Sequence, residues 1–253
     1  MRRKIFLLGG ADLEMLTIKK ILERQNEIIY DKKLRWDNAA LSRYAEELKQ
    51  YGNNEAYEIY GVELTEKQAA IPINYHRIDH HNDYSNLPSS LEQIASLLNI
   101  KLDREQQLIA ANDRGYIPAM IAMEASGDEI RQIRLADRRA QGVTASDEQF
   151  AEDAVSDRIE ANGIIIVKSA TNSFSPITDR LYPYDRLLIY TADELIYYGT
   201  GKLRLVGIYK KEILEGKMFH GGGDSGFIGT VRSAYTEQEI ITLKEEIIKQ
   251  INT

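Results

Sequence analysis

Cysteine is absent from all 253 residues, so the chain has no disulfide framework, no zinc ribbon and no thiol nucleophile. Long apolar runs are missing too, and nothing approaches the roughly 20 consecutive apolar residues of a membrane-crossing helix. The basic start Met1-Arg2-Arg3-Lys4 is followed by an apolar run of only Ile5 to Leu8, too short for a secretory segment. Nor is there a basic excess: 32 Lys and Arg against 39 Asp and Glu give a net charge of -7. That balance argues against gripping long nucleic acid, which takes many cationic phosphate contacts. The expectation is a cytoplasmic protein with no membrane partner, in which a small anionic ligand held through a cation is still allowed.

What is present is a hydrophobic content of 43% and a charged content of 28%, enough to bury a core in one large or two ordinary domains. Lys4 to Leu8 reads as a strand, Gly9-Gly10 as a tight turn, and Asp12 to Gln25 as a helix. Glu27 to Tyr30, Tyr57 to Leu64 and the end of Ala70 to Asp79 read as further strands, with a helix over Asp37 to Gln50 that Asp37 would cap. Helices follow over Ser90 to Leu98, Asp103 to Asn112, Tyr116 to Ala125 and Asp128 to Arg139. The polar stretch 141–162 reads as a partly helical linker. Beyond it, strands are expected at Ile164 to Lys168, Arg186 to Thr191, Glu194 to Tyr198, Leu203 to Tyr209 and Phe227 to Val231, and a closing helix over Glu237 to Ile251. The fold class is therefore α/β: a mainly parallel sheet with flanking helices in a domain over 1–140, plus a second, smaller α/β domain over 163–253. Ligands of such a sheet sit at the carboxyl ends of its strands.

The candidate chemistry gathers at those ends. Three of the four histidines fall in Asn74 to Asp83, where Asp79-His80-His81 ends a strand. Imidazole nitrogen and carboxylate together suit a borderline divalent ion such as Mn²⁺, Fe²⁺ or Zn²⁺. Asp12 and Glu14 follow the first strand, Glu63 ends another, and Asp113 follows an apolar helical run. Taken singly, Asp12, Glu14 and Asp113 are equally helix caps and Glu63 an ordinary exposed acid; it is their common position that points to a metal site. In the second domain, Gly221-Gly222-Gly223 can bring backbone N–H groups to an anion, with His220 and Arg232 nearby. Lys32, Lys33 and Arg35 could assist with a phosphate or simply lie on the surface.

Three patterns do not hold up. Gly223-Asp224-Ser225-Gly226 spells a serine-protease motif without the cysteines, the all-β pattern or the base-bearing segment that belong with it. His76 and His80 have the spacing of a helical zinc pair, but Arg77 stands where the general-base glutamate belongs. Gly9-Gly10 does not complete a dinucleotide fingerprint. Tyr182, Tyr184, Tyr190, Tyr197, Tyr198 and Tyr209 read as core and cross-strand packing rather than as a base-stacking surface.

In order along the chain, Asp12-x-Glu14, Glu63, Asp79-His80-His81, Asp113 and Gly221-Gly222-Gly223 resemble the DHH phosphoesterase superfamily, over nearly the whole length. The resemblance implies that Asp12, Glu14, Glu63, His80 and Asp113 ligate one or two Mn²⁺ ions and that the catalytic His81 faces a substrate phosphate. It implies a smaller C-terminal substrate-binding domain in which Gly221, Gly222, Gly223, His220 and Arg232 meet a small phosphorylated substrate. The chain departs from the family pattern at Leu8, where an imidazole is usual, at Glu14 and Glu63, where aspartates are, and at Asp224, where a histidine follows the glycines. The expected function is metal-dependent hydrolysis of a phosphomonoester, phosphodiester or pyrophosphate bond. The alternative is a ligand-binding protein on the same fold with a degraded metal site.

Overall fold

The computed structural model describes residues 2–36, 38–67, 70–224 and 226–252, and the chain divides into two compact units, Met1–Gly142 and Val143–Thr253. The helix cap expected at Asp37 lies outside the described residues.

The first unit is built on a four-stranded, wholly parallel sheet. Its strands are β1 (Arg3–Leu8), β2 (Ile28–Asp31), β3 (Tyr57–Val62) and β4 (Tyr75–Ile78), in the order β2-β1-β3-β4. Helix α1 (Leu13–Arg24) connects the first two strands, and a 3₁₀ turn at Leu41–Tyr44 running into α2 (Ala45–Tyr51) leads to the third. Ile5 and Leu7 pack with Leu41, Tyr44 and Ile59 on one face of the sheet. By strand alternation Phe6 and Leu8 face the other way, and both are fully buried, so the sheet is covered on both faces. Helices α3 (Ser90–Leu98), α4 (Arg104–Ala122) and α5 (Gly127–Ala140) follow β4, and each begins with a reciprocal capping box, Ser89/Glu92, Asp103/Gln106 and Ser126/Glu129.

Helix α4 runs through the interval between the two helices expected there, but it breaks at Gly115 and Tyr116, where Tyr116 has φ 59° and ψ -148°. Pro118 explains the break: it donates no hydrogen bond and its ring clashes with the preceding turn. Asp113 sits immediately before the interruption.

The second unit carries a six-stranded mixed sheet in the order β5-β6-β7-β8-β10-β9, of which only β6 and β7 are parallel. The strands are β5 (Ile159–Ala161), β6 (Ile164–Lys168), β7 (Arg186–Tyr190), β8 (Leu195–Gly199), β9 (Met218–Gly221) and β10 (Phe227–Thr230). Helices α6 (Ala145–Ser156), α7 (Ser175–Leu181), α8 (Lys202–Ile208), α9 (Lys210–Leu214) and α10 (Glu237–Ile251) accompany them. The tyrosines pack as expected: Tyr197 is fully buried, and Tyr198 meets its cross-strand neighbour Phe227 at 6.2 Å between ring centres.

Two segments differ from the sequence expectation. Leu203 to Tyr209 is the helix α8 rather than a strand. The alternation of Leu203 and Leu205 imitates period 2, but Leu203 is exposed while Leu205 and Tyr209, four apart, are buried in the core. The stretch 141–162 is not a free linker. Thr144 and Asp147 form a capping box that starts α6, and Ala151 and Ala154 pack into the second unit's core beside Val167 and Ile177. Small residues bury a helix face without raising its apparent hydrophobicity, which is why the stretch reads as polar. First proteolytic cuts are therefore expected at residues 141–143, where Gln141 and Gly142 are exposed, with 145–156 protected. Early cleavage inside α6 would show that this helix is not held by the core.

Candidate metal centre

The site begins with strand register. Leu8 pairs with Val62 and Val62 with Ile78, so β1, β3 and β4 end level and hand their next residues to one edge. Gly9 makes that edge tight: its N–H donates to the Val62 carbonyl at 2.8 Å, and a Cβ there would lie 2.3 Å from the Glu63 carbonyl oxygen and 2.7 Å from that of Val62. Both obstacles are backbone. Gly9→Ala is expected to destabilise the protein by about 1–3 kcal/mol and to weaken metal uptake by pushing Glu63 away, as read by denaturant melts and metal titration. An alanine variant of unchanged stability would contradict this packing.

At that edge stand His80 and Glu63, 6% and 5% exposed, with Glu14 (2%) from the first turn of α1 and Asp113 from α4. His80 Nε2 contacts Asp113 Oδ2 closely and lies 3.7 Å from Glu63 Oε1 and 3.9 Å from Glu14 Oε2. All four of these atoms are buried without a hydrogen-bond partner. Buried polar atoms left unpaired are costly, and four facing one another need a shared positive charge. Ring nitrogen with carboxylate oxygen is a donor set that first-row divalent ions take readily. Glu63, His80, His81 and Asp113 each offer a ligand atom within 4.8 Å of the others. The residues present therefore fit a divalent cation.

The electrostatics agree. Burial, then the charges of Asp113 and Glu63, raises the Glu14 carboxyl well above its ordinary value. Burial and the Asp113 charge raise Glu63 as well. Asp12 is pushed up to about 7, by burial first and then by Glu63. His81 is set the other way: its ring Nδ1 lies 3.1 Å from Asp79 Oδ1, and this bond holds the imidazolium up to about 9. The same Asp79 oxygen accepts the His81 backbone N–H at 2.9 Å, so the ring and its backbone are fixed by one carboxylate.

Other expected residues are placed differently. Asp12 is the N-cap of α1, its Oδ1 accepting from the Met15 N–H at 2.8 Å, and it stands beside the four-atom group rather than in it. Lys32 is engaged away from the site, donating to Glu47 Oε2 at 2.9 Å and the Arg43 carbonyl at 2.8 Å. His76 lies on strand β4, stacked on Tyr60, which disposes of the helical pair. In the second unit, Gly221 ends β9 beside exposed His220, Gly222 and Gly223 take positive φ, and Arg232 Nε donates to Asp193 Oδ2 at 3.2 Å.

Some functional neighbours were not anticipated. Asp137 Oδ1 accepts the Leu13 N–H at 3.3 Å and its Oδ2 takes Arg134 at 2.8 Å, which ties α5 to the turn carrying Asp12 and Glu14. Lys202, 3% exposed, donates to the Gly223 carbonyl at 2.7 Å beneath the glycine loop. Trp36 packs edge-on to His81, 5.4 Å between ring centres. None of the three carries a sequence signal, since each contact joins elements distant in the chain.

No family model and no curated protein matches the sequence. Among solved structures, the chain is similar to the pGpG-specific phosphodiesterase PggH from Vibrio cholerae, at 13% identity over 99% of both chains with a TM-score of 0.51. It is also similar to the DHH domain of a member of the s1p family of ribosomal proteins, at 12% identity over 99% of this chain and 87% of that one, TM-score 0.53. The chain thus has the fold of DHH-domain proteins over its length.

Proposed function

We propose that the first unit is a divalent-metal centre and that the protein hydrolyses a phosphate ester or phosphoanhydride bond of a small phosphorylated substrate. The observation that carries this reading is the convergence of Glu14 Oε2, Glu63 Oε1, His80 Nε2 and Asp113 Oδ2, all buried and all unpaired. Likeness of fold to a protein described as a phosphodiesterase supports the same class of chemistry.

Glu14, Glu63, His80 and Asp113 would hold the cation, Mn²⁺ being our first choice for this mixed donor set. A divalent ion there supplies neutralisation of phosphoryl charge and a lowered pKa for water. The chain does the rest. Asp79 fixes His81 through Nδ1, which leaves Nε2–H to hold a phosphoryl oxygen and to return a proton as charge develops on it. Asp137 holds the turn that presents Glu14, so that the carboxylate does not have to be ordered during the reaction. In the second unit, the Gly221–Gly223 loop with His220 is proposed to receive an anionic part of the substrate, and Lys202 holds that loop by the Gly223 carbonyl.

Elemental analysis of protein purified without chelator, with hydrolysis assays across phosphomonoesters, phosphodiesters and pyrophosphates in Mn²⁺, Mg²⁺ and Zn²⁺, tests the proposal. Bound metal together with metal-dependent phosphate release is the expected result. Protein that takes up no metal and hydrolyses nothing would instead be the ligand-binding protein named above.

A further inference from the structure

Trp36 is the one tryptophan of the chain, and it is held in place without being covered. It lies in the loop after β2, with its indole against Gly10, whose added Cβ would meet ring atoms at 3.0 Å, and edge-on to His81 at 63° between the ring planes. These contacts press it onto the turn that leads to Asp12 and Glu14 and onto the imidazole that handles phosphate. Even so, 49% of its surface is exposed.

The open part of the ring lines a pocket of about 630 Å³ that Glu63 and His81 also line, so the pocket opens from the metal group. Tyr84 stands in its wall, backed by the Arg77 guanidinium 4.6 Å from the ring centre. Arg77 is itself fixed, its Nε donating to one Glu66 carboxylate oxygen at 2.8 Å while a second guanidinium nitrogen lies 2.5 Å from the other. The carboxylates of the wall are thus largely matched by Arg77 and His81, and what stays unmatched is aromatic surface. A volume of this size lies in the range of small-molecule sites, roughly 300–1,000 Å³, and far exceeds what a phosphoryl group alone would fill. A fixed, half-open indole beside a phosphate-binding centre suits a planar π system joined to that phosphate by a short polar spacer. Among phosphorylated small molecules that description is met by a nucleoside phosphate, whose base stacks on aromatic side chains whatever its identity.

We propose that Trp36 is the base-stacking platform of the first unit and that the substrate is a nucleoside phosphate, its base on the indole and its phosphate toward His81; the inference rests on the phosphoesterase reading. The ring identifies a class rather than one base, because every base has a π face.

Having a single tryptophan makes the test direct. With Mg²⁺ present, guanosine 5′-phosphate and adenosine 5′-phosphate are expected to quench the Trp36 emission saturably, and ribose 5-phosphate is expected to bind without comparable quenching. Calorimetry should show the nucleotide dissociation constant rising about tenfold or more in Trp36→Leu and staying within about threefold in Trp36→Phe, since phenylalanine keeps a stacking face and leucine only the bulk; thermal melts confirm that both variants fold. Equal quenching by ribose 5-phosphate, or unchanged nucleotide affinity in folded Trp36→Leu, overturns the inference. Metal-dependent hydrolysis without nucleotide quenching refutes the platform and leaves the phosphoesterase standing. Quenching by nucleotides alone, in a protein that hydrolyses no phosphate ester, upholds the platform and removes the phosphoesterase.

Discussion

Replacing His80 by alanine should lower metal-dependent hydrolysis by at least about a thousandfold while leaving the protein folded. The imidazole is the only nitrogen among the four unpaired buried atoms, and it lies within 4 Å of three carboxylate oxygens, from Glu14, Glu63 and Asp113. Removing it takes away the donor that suits a first-row ion best and leaves three acids to repel one another. The loss should therefore appear in binding before it appears in turnover: calorimetric titration with Mn²⁺ should show affinity reduced, and added metal should restore only part of the rate. His80→Gln separates position from chemistry, since its amide oxygen can reach toward the group without an imidazole lone pair. It should recover packing and thermal stability but not activity. Truncating a buried side chain of this size is worth about 1–3 kcal/mol on packing grounds, so near-wild-type circular dichroism with a lowered melting temperature is expected for the alanine variant. A fully active, normally metallated His80→Ala protein would remove His80 from the centre.

How much of this was legible in the sequence depends on whether the relevant contact is local. The strand-turn-helix opening, the level strand ends and the helical segment after Asn82–Pro88 follow from periodicity and turn residues, both of which act over a few positions. The grouping of Glu14, Glu63, His80 and Asp113 was legible because a parallel sheet puts successive strand ends on one edge, so chain order translates into proximity. Asp113 is brought there by a helix that Pro118 interrupts, a local cause that was also readable. Asp137, Lys202 and Trp36 were not legible, because each acts across more than 20 residues on a backbone group or a ring that no short pattern encodes. The α6 helix failed for a compositional reason. Thr144-Ala145-Ser146-Asp147 is a capping signal, but the face that follows is buried through Ala151 and Ala154, which a hydrophobic-periodicity reading undercounts. Asp12 shows the limit of residue type as an indicator. One carboxylate can cap a helix and raise the local negative potential at once, and its chain position is the same for both.

Glu63→Gln should make the metal-free protein more stable at neutral pH and nearly abolish its metal binding. Glu63 is 5% exposed, takes the positive φ of 52°, and points an unpaired oxygen at Glu14, His80 and Asp113. Its carboxyl is raised by burial and by the Asp113 charge, as Glu14 is, and Asp12 is pushed up to about 7. A carboxyl whose pKa is higher folded than unfolded binds its proton more tightly in the folded state. Its contribution is favourable below the unfolded value and is lost as pH rises through the folded one. For Asp12, the interval from 3.8 to about 7 corresponds to about 4 kcal/mol at roughly 1.4 kcal/mol per unit, an order of magnitude rather than a measurement. The metal-free protein should therefore lose melting temperature as pH rises from about 4 to about 7, against the usual trend for carboxylates in ion pairs. Glutamine removes the charge and keeps the shape and the backbone, so the strain of the positive φ is common to both proteins. The expected gain at pH 8 is on the order of 1–3 kcal/mol, several degrees of melting temperature for a chain of this size, with a shallower pH dependence. Mn²⁺ should reverse the order: it stabilises only proteins that bind it in the folded state, so the wild type should rise above the variant as metal is added and release protons as it does. Thermal melts at pH 5 and pH 8, with metal and with chelator, provide the four numbers needed. A variant that is less stable than the wild type under chelator at pH 8, or one that gains equally from Mn²⁺, would mean that Glu63 is not held there as a ligand.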